Sequence, residues 1–246
     1  QARLQAPAEL FQILHLVEQP HMEWLQGQLQ RRQRVGFDPR LHSLAWYQKS
    51  RSLLAQKEVE LIALEENPVD SLWRERPTAS KAEVIFYPES LSGQSSVVKR
   101  EALAARLRQQ GLDAVLLTQS ESINWLLNIR GHDIPCFPVV LCFAVLYSNV
   151  SMDFFVDTDK LDSNAFNQHV GNDVSVYPLE KLGDVLKRMG EDQLKVQADA
   201  NSSNAWSQLL LQKSGATLVQ GEDPCMLPKA GKNATELAGM EQAHQK

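Results

Sequence analysis

Short apolar runs alternate with longer stretches of helical spacing along almost the whole chain, and that alternation restricts the fold class to α/β. The expected strands are Leu10–Val17, Val35-Gly36-Phe37, Val59–Leu64, Ala114–Thr118, Val139–Tyr147, Met152–Asp157, Val174–Tyr177, Val196–Ala200 and Thr217–Val219. Ser148-Asn149 should turn the fifth of these into the sixth as a hairpin. Helices are expected from Pro20 to about Gln30, and from Asp38-Pro39 through Trp46 to Leu53. Others should run from Val97 to Gln110 with Gly111 at C′, around residues 159–170, from Leu179 to Met189 with Gly190 as the stop, and from an Asn201-Ser202 cap to Gly215.

The alternation is interrupted once. In Glu66–Pro77, Val69, Leu72 and Trp73 share one face of a single helical turn, and Pro77 ends it. The segment Thr78–Ser96 is rich in Ser, Pro and Gly and has no period, which places a domain boundary roughly at residues 74–82. Both ends of the chain read as helical. Residues 1–8 look like the tail of a helix, and Lys232–Met240 opens another, with Asn233 and Glu236 at capping-box spacing. Leu237, Met240 and His244 share a face of that last helix with no later segment to cover them, so the natural chain is expected to continue.

Totals exclude several classes. Across 246 residues, 43% hydrophobic and 22% charged residues describe a folded globular protein rather than a disordered one. A net charge of −5 argues against a nucleic-acid partner. The longest apolar run, Val139–Tyr147, is too short to cross a membrane as a helix, and no leader-type segment is evident at Gln1-Ala2-Arg3-Leu4. Cys136, Cys142 and Cys225 are an odd, scattered set that suits a reducing, cytoplasmic compartment.

Candidate chemistry is sparse. The six histidines are dispersed, and neither H-E-x-x-H nor Cys-x-x-Cys occurs. G-x-S-x-G and G-x-G-x-x-G are also absent. Asp153, Asp157 and Asp199 could be offered as a nuclease-like acidic set, against the reading that two of them are strand-end turn residues. The densest polar feature is Arg130-Gly131-His132-Asp133, after the short helix carrying Trp125 and Leu126, which Ser120 or Ser122 should cap. It fits a rigid turn presented to a ligand or partner domain. It fits equally an ordinary helix end, with Gly131 at positive φ and Arg130 offsetting the helix dipole.

Three segments in order carry a family resemblance. Ile123–Asp133 with Pro138-Val139, Asn67–Pro77, and Lys232-Asn233 with Glu236, Gly239-Met240 and Ala243-His244 together resemble the Xaa-Pro aminopeptidases, in the long three-domain form of the creatinase/prolidase-type metallopeptidases. The resemblance implies two consecutive α/β units similar to creatinase/prolidase N-terminal, ribonuclease H-like domains, the first incomplete. Residues 1–76 would be the rear of domain I and the link, 77–228 domain II, and 229–246 the start of a "pita-bread" catalytic domain. That domain would hold two divalent metals, usually manganese, on two Asp, one His and two Glu, with a bridging water attacking the bond before proline. No residue here aligns with those ligands, so the resemblance implies no catalytic and no metal-binding residue in this chain. It implies a cytoplasmic parent enzyme acting on proline-containing peptides, with this region packed on its own catalytic domain and helping to form a homo-oligomer. Arg130, His132 and Asp133 are its candidates for an interface or substrate rim. The alternative is a stand-alone interaction or oligomerisation module of pseudo-peptidase fold.

Overall fold

The computed structural model describes residues 2–245. A front unit contains α1 (Ala2–Gln5), α2 (His21–Gln28), β1 (Arg34–Phe37), α3 (Leu44–Ala55), β2 (Glu60–Ala63) and α4 (Pro68–Leu72). β3 (Ile85–Phe86), α5 (Glu89–Ser92), α6 (Ser96–Gln109), β4 (Ala114–Leu117), α7 (Ser120–Leu127) and β5 (Ile129–Arg130) follow. Then come β6 (Phe143–Tyr147), β7 (Met152–Phe155), α8 (Ser163–Val170), β8 (Val174–Tyr177), α9 (Leu182–Glu191), β9 (Lys195–Ala198), α10 (Ala205–Ser214), β10 (Thr217–Gln220), α11 (Met226–Ala230) and α12 (Ala234–His244). The fold is mixed α/β, as the alternation requires.

The main sheet runs β10-β9-β4-β6-β7-β8. β4–β6 and β6–β7 pair antiparallel, while β4–β9, β9–β10 and β7–β8 pair parallel. Alternate residues of the central strands therefore face opposite layers. Val115, Leu117, Leu146 and Phe154 pack under α6, α7 and α8. Ala114, Leu116, Val145 and Phe155 pack under α9 and α10. Both faces are covered, so β4 is buried along its whole length.

The front unit is smaller. β1 and β2 pair parallel, and Phe37, Leu54 and Leu61 with Met22 make a separate core. It joins the main unit through residues 38–45. Leu44 N donates to Ser203 O, Ala45 N to Ala200 O, Ala205 N to His42 O and Trp206 N to Pro39 O. The helix expected from Asp38-Pro39 starts instead at Leu44, capped by Ser43, whose oxygen accepts from Trp46 N. The preceding residues are used in this backbone seam, so they are unavailable for a helical turn.

Other expectations are corrected. Leu10–Val17 forms no strand, and Leu10, Phe11, Leu16 and Val17 are 58–80% exposed. An apolar run becomes a strand only where a neighbour supplies its ladder. The strand expected from Val139 begins at Phe143. Residues 140–142 have their amides tied to side chains instead: Val140 to Asn124, Leu141 to Asp133 and Cys142 to Ser120. Gly190 does not end its helix. It lies inside α9, where an added Cβ would sit 2.3 Å from Ser214 Cβ, so its task is close approach to α10.

Candidate functional site

Ser120 is the first residue of α7 rather than its cap, and Gln119 precedes it without a side-chain cap bond. The helix ends at Asn128, which adopts the left-handed conformation at φ 52°. This corrects the expectation for Gly131, whose φ is not positive. Glycine is required at 131 because a Cβ would meet Val140 Cγ2 at 2.6 Å. Asn is one of the few side chains that tolerate the left-handed region, and here its amide also repays the turn. Asn128 Nδ2 donates to Gln94 O at 2.7 Å, and its Oδ1 accepts from Lys99 Nζ at 2.6 Å. Its backbone carbonyl accepts from Tyr87 N and lies 2.9 Å from His169 Nε2.

Lys99 is 3% exposed and also donates to Trp125 O at 3.0 Å, with its ammonium 4.4 Å from the Trp125 ring centroid. Burial pulls its pKa down to about 8; Glu236 opposes this and Arg130 adds to it. Beside this network β5 pairs with β3, and the Arg130 guanidinium lies 4.7 Å over the Tyr87 ring. Arg130 also donates to its neighbour's carbonyl, Ile129 O, at 2.8 Å.

Tyr87, Trp125 and Arg130 form one side of a groove of about 990 Å³ and face α12 and Lys232 across it. The capping box expected there is present: Asn233 Oδ1 accepts from Glu236 N, and Glu236 Oε2 accepts from Asn233 N. Asn233 Nδ2 further donates to Ser92 O at 2.7 Å, packing against the left-handed Gly93, so the last helix leaves in a fixed direction. Lys99, Asn128, Tyr87 and Trp125 were not singled out from sequence as site residues. The signal for Lys99 was its spacing, since it shares the buried stripe of α6 with Leu103 and Leu107.

The three residues picked from sequence do not act together. Arg130 is half-buried in the groove wall, and His132 is exposed with its carbonyl receiving Ser80 Oγ. Asp133 turns inward. Its carboxylate, 2% exposed, accepts from Lys160 Nζ at 2.8 Å and from Leu141 N at 2.8 Å. Its side chain thus holds the turn from within and presents nothing at the surface.

The acidic set does not converge either. Asp153 accepts from Tyr147 Oη, Asp157 caps the 158–160 turn, and Asp199 accepts from Asn201 N. Among the described residues no group of three His, Cys, Asp or Glu could hold a metal ion, so the donor set does not fit a two-metal centre. No described helix is long and apolar enough to cross a membrane.

A mixed sheet with helices on both faces, and a polar helix end whose groove faces α12, define an α/β domain. The creatinase/prolidase N-terminal domain family matches residues 75–236, and the chain belongs to that family. It is 29% identical over 230 residues to Xaa-Pro aminopeptidase 1 of Dictyostelium discoideum, covering 90% of this chain and 36% of that protein. It is 30% identical over 230 residues to a probable Xaa-Pro aminopeptidase P of Penicillium rubens, covering 90% and 37%. Among solved structures, the X-prolyl aminopeptidase of Caenorhabditis elegans, described as a cytosolic enzyme with a di-nuclear active site, superimposes with a TM-score of 0.82 at 26% identity, covering 92% of this chain and 38% of that one. The chain thus spans under two-fifths of the length of these relatives.

Proposed function

We propose that this chain is the non-catalytic N-terminal region of a cytosolic, metal-dependent Xaa-Pro aminopeptidase, whose substrates are peptides with proline second. The observation that carries the reading is similarity to Xaa-Pro aminopeptidases over 90% of the chain, where it accounts for only 36–38% of them. Residues 1–76 are then the rear of a first domain with its link, 77–228 the second domain, and 229–246 the entry to the catalytic domain. The docking of Asn233 on Ser92 supports this division, because it fixes the direction in which a following domain is attached. In the parent the two metals, of which manganese is the expected kind, belong to residues outside this chain. Arg130 and His132 contribute to the rim or to a homo-oligomer interface, and Asp133 holds their turn.

The test is hydrolysis of an Xaa-Pro peptide with added Mn²⁺, comparing this chain with the product of the full reading frame. Activity is expected in the longer product alone. Activity of the 246-residue chain that survives repurification and a metal control overturns the reading. Inactivity of both, with the longer frame ending soon after, replaces it with a binding module.

A further inference from the structure

The groove between Trp125 and α12 carries charge of the sign opposite to that of the chain. The sequence as a whole has a net charge of −5, yet the charged side chains lining this groove are three cations, Arg130, Lys229 and Lys232, against one carboxylate, Glu236. Among the described residues none of the three cations is in an ion pair. The Arg130 guanidinium donates to Ile129 O, and the Lys232 ammonium donates to Lys229 O. The carboxylate is already engaged, because Glu236 Oε2 accepts from Asn233 N in the capping box. Glu89 of α5 and Glu241 of α12 do not line the groove. Lys99 adds a further positive charge from the buried side, its ammonium 4.4 Å from the Trp125 ring centroid and bonded to Trp125 O and Asn128 Oδ1.

A cleft lined by one sign of charge concentrates ions of the other sign, and an anion that enters relieves the repulsion among the lining groups. This cleft is open to entry. Lys232, Thr235, Ala238 and Met240 are exposed, and Arg130, Lys229 and Trp125 are half-buried. Its α12 side is low, with Ala234, Ala238, Gly239 and Ala243 along it. From the first of these to the last the helix rises about 14 Å. That is the length of about four extended residues. A built-on Cβ at Gly239 would meet nothing within 4 Å, so a backbone can lie close there.

We propose that this groove binds an acidic peptide segment, with its carboxylates at Arg130, Lys229 and Lys232 and its backbone along the small residues of α12. The proposal does not depend on the aminopeptidase reading, because its test is binding and not hydrolysis.

The probe is acetyl-Asp-Leu-Glu-Ala-amide, with acetyl-Asn-Leu-Gln-Ala-amide as its neutral twin. Each is titrated into the 246-residue chain at low salt while amide shifts are followed by NMR. Saturable shifts at Tyr87, Arg130, Ala238, Gly239 and the Trp125 indole are expected with the acidic peptide and not with the neutral one. The K229M/K232M double variant should weaken the acidic peptide about threefold or more. Raising the salt to about 0.2 M should weaken it in the same direction. Four results overturn the proposal: equal binding of the two peptides, equal binding to wild type and K229M/K232M, no saturable shift up to about 10 mM peptide, or groove shifts that follow protein concentration before peptide is added, which would make a second copy the occupant. The acidic–neutral comparison and the salt series need no variant, so the test survives if K229M/K232M does not fold.

Discussion

Two parallel strand pairs of the same length, β1–β2 and β7–β8, sit in different company. β7 lies inside a six-stranded sheet, and Met152, Phe154 and Phe155 are wholly buried. β1 and β2 have no third strand among the described residues, and each buries a single side chain, Phe37 and Leu61. The apolar stretch Leu10–Val17 lies exposed in the same front unit. Sequence propensity is similar in both places; what separates them is the number of neighbours able to take up hydrogen bonds and apolar surface.

The difference is broken most sharply through buried charge. Lys160 and Asp133 pair in the main unit with side chains 6% and 2% exposed. K160M leaves the carboxylate buried without its cation and is expected to cost about 3–5 kcal/mol in urea unfolding. R76M removes the surface partner of Asp70, whose pair is 60% and 57% exposed, and should cost under about 1 kcal/mol. Equal losses would show that the Asp133 pair is as hydrated as the surface one.

How much of this was legible follows the same division. The Asn233–Glu236 capping box, the left-handed Gly111 after α6 and the apolar stripe of α9 were readable because each is local: partners lie within one or two turns. The β3–β5 pairing was not, since two-residue strands leave no period to read. The seam at residues 38–45 was misread because its partners, Ala200 and Ser203, are distant in sequence. At the candidate site the Arg130 turn was legible as polar, but the inward direction of Asp133 depends on Lys160 from another element.

That seam is the next point to test. Leu44 is 1% exposed where the two units meet. L44A should cost about 2–5 kcal/mol through the cavity it leaves. Hydrogen exchange is expected to quicken in β1 and β2 while β4 and β6 stay protected. Uniform acceleration across all four strands would instead mean that the units unfold as one.

One substitution should have opposite signs in the two regions. At Gly190, between α9 and α10, a Cβ meets Ser214 backbone carbon at 2.6 Å, and backbone cannot swing aside. Overpacking of about 1–3 kcal/mol outweighs the roughly 1 kcal/mol that alanine gains over glycine in a helix, so G190A lowers stability. At Gly27 in α2 nothing lies within 4 Å, so G27A should raise stability by up to about 1 kcal/mol. Thermal unfolding of both variants decides it, and a stabilised G190A would mean that the helices part freely.

The smallest effect concerns the buried ammonium under Trp125. In the unfolded chain Lys99 holds its proton to about 10.5, whereas the folded protein releases it at about 8. Across that window the unfolded state binds more protons, so folding stability rises with pH; below it the cost of burying the charge is fully present. An opposite trend sets in from about pH 8 upward, because burial pushes the Cys142 and Cys225 thiols up from 9.0 and the unfolded chain then ionises first. Burial acts the same way on Tyr147, above its ordinary 10.0. Subtracting K99M, which has the same thiols, cancels that trend, and between pH 8 and pH 9 wild type should gain about 1 kcal/mol relative to K99M, measured as the difference in urea unfolding free energies. Parallel pH slopes in the two proteins would mean that the ammonium keeps its hydration, and that the network joining Asn128 to Trp125 is open to water.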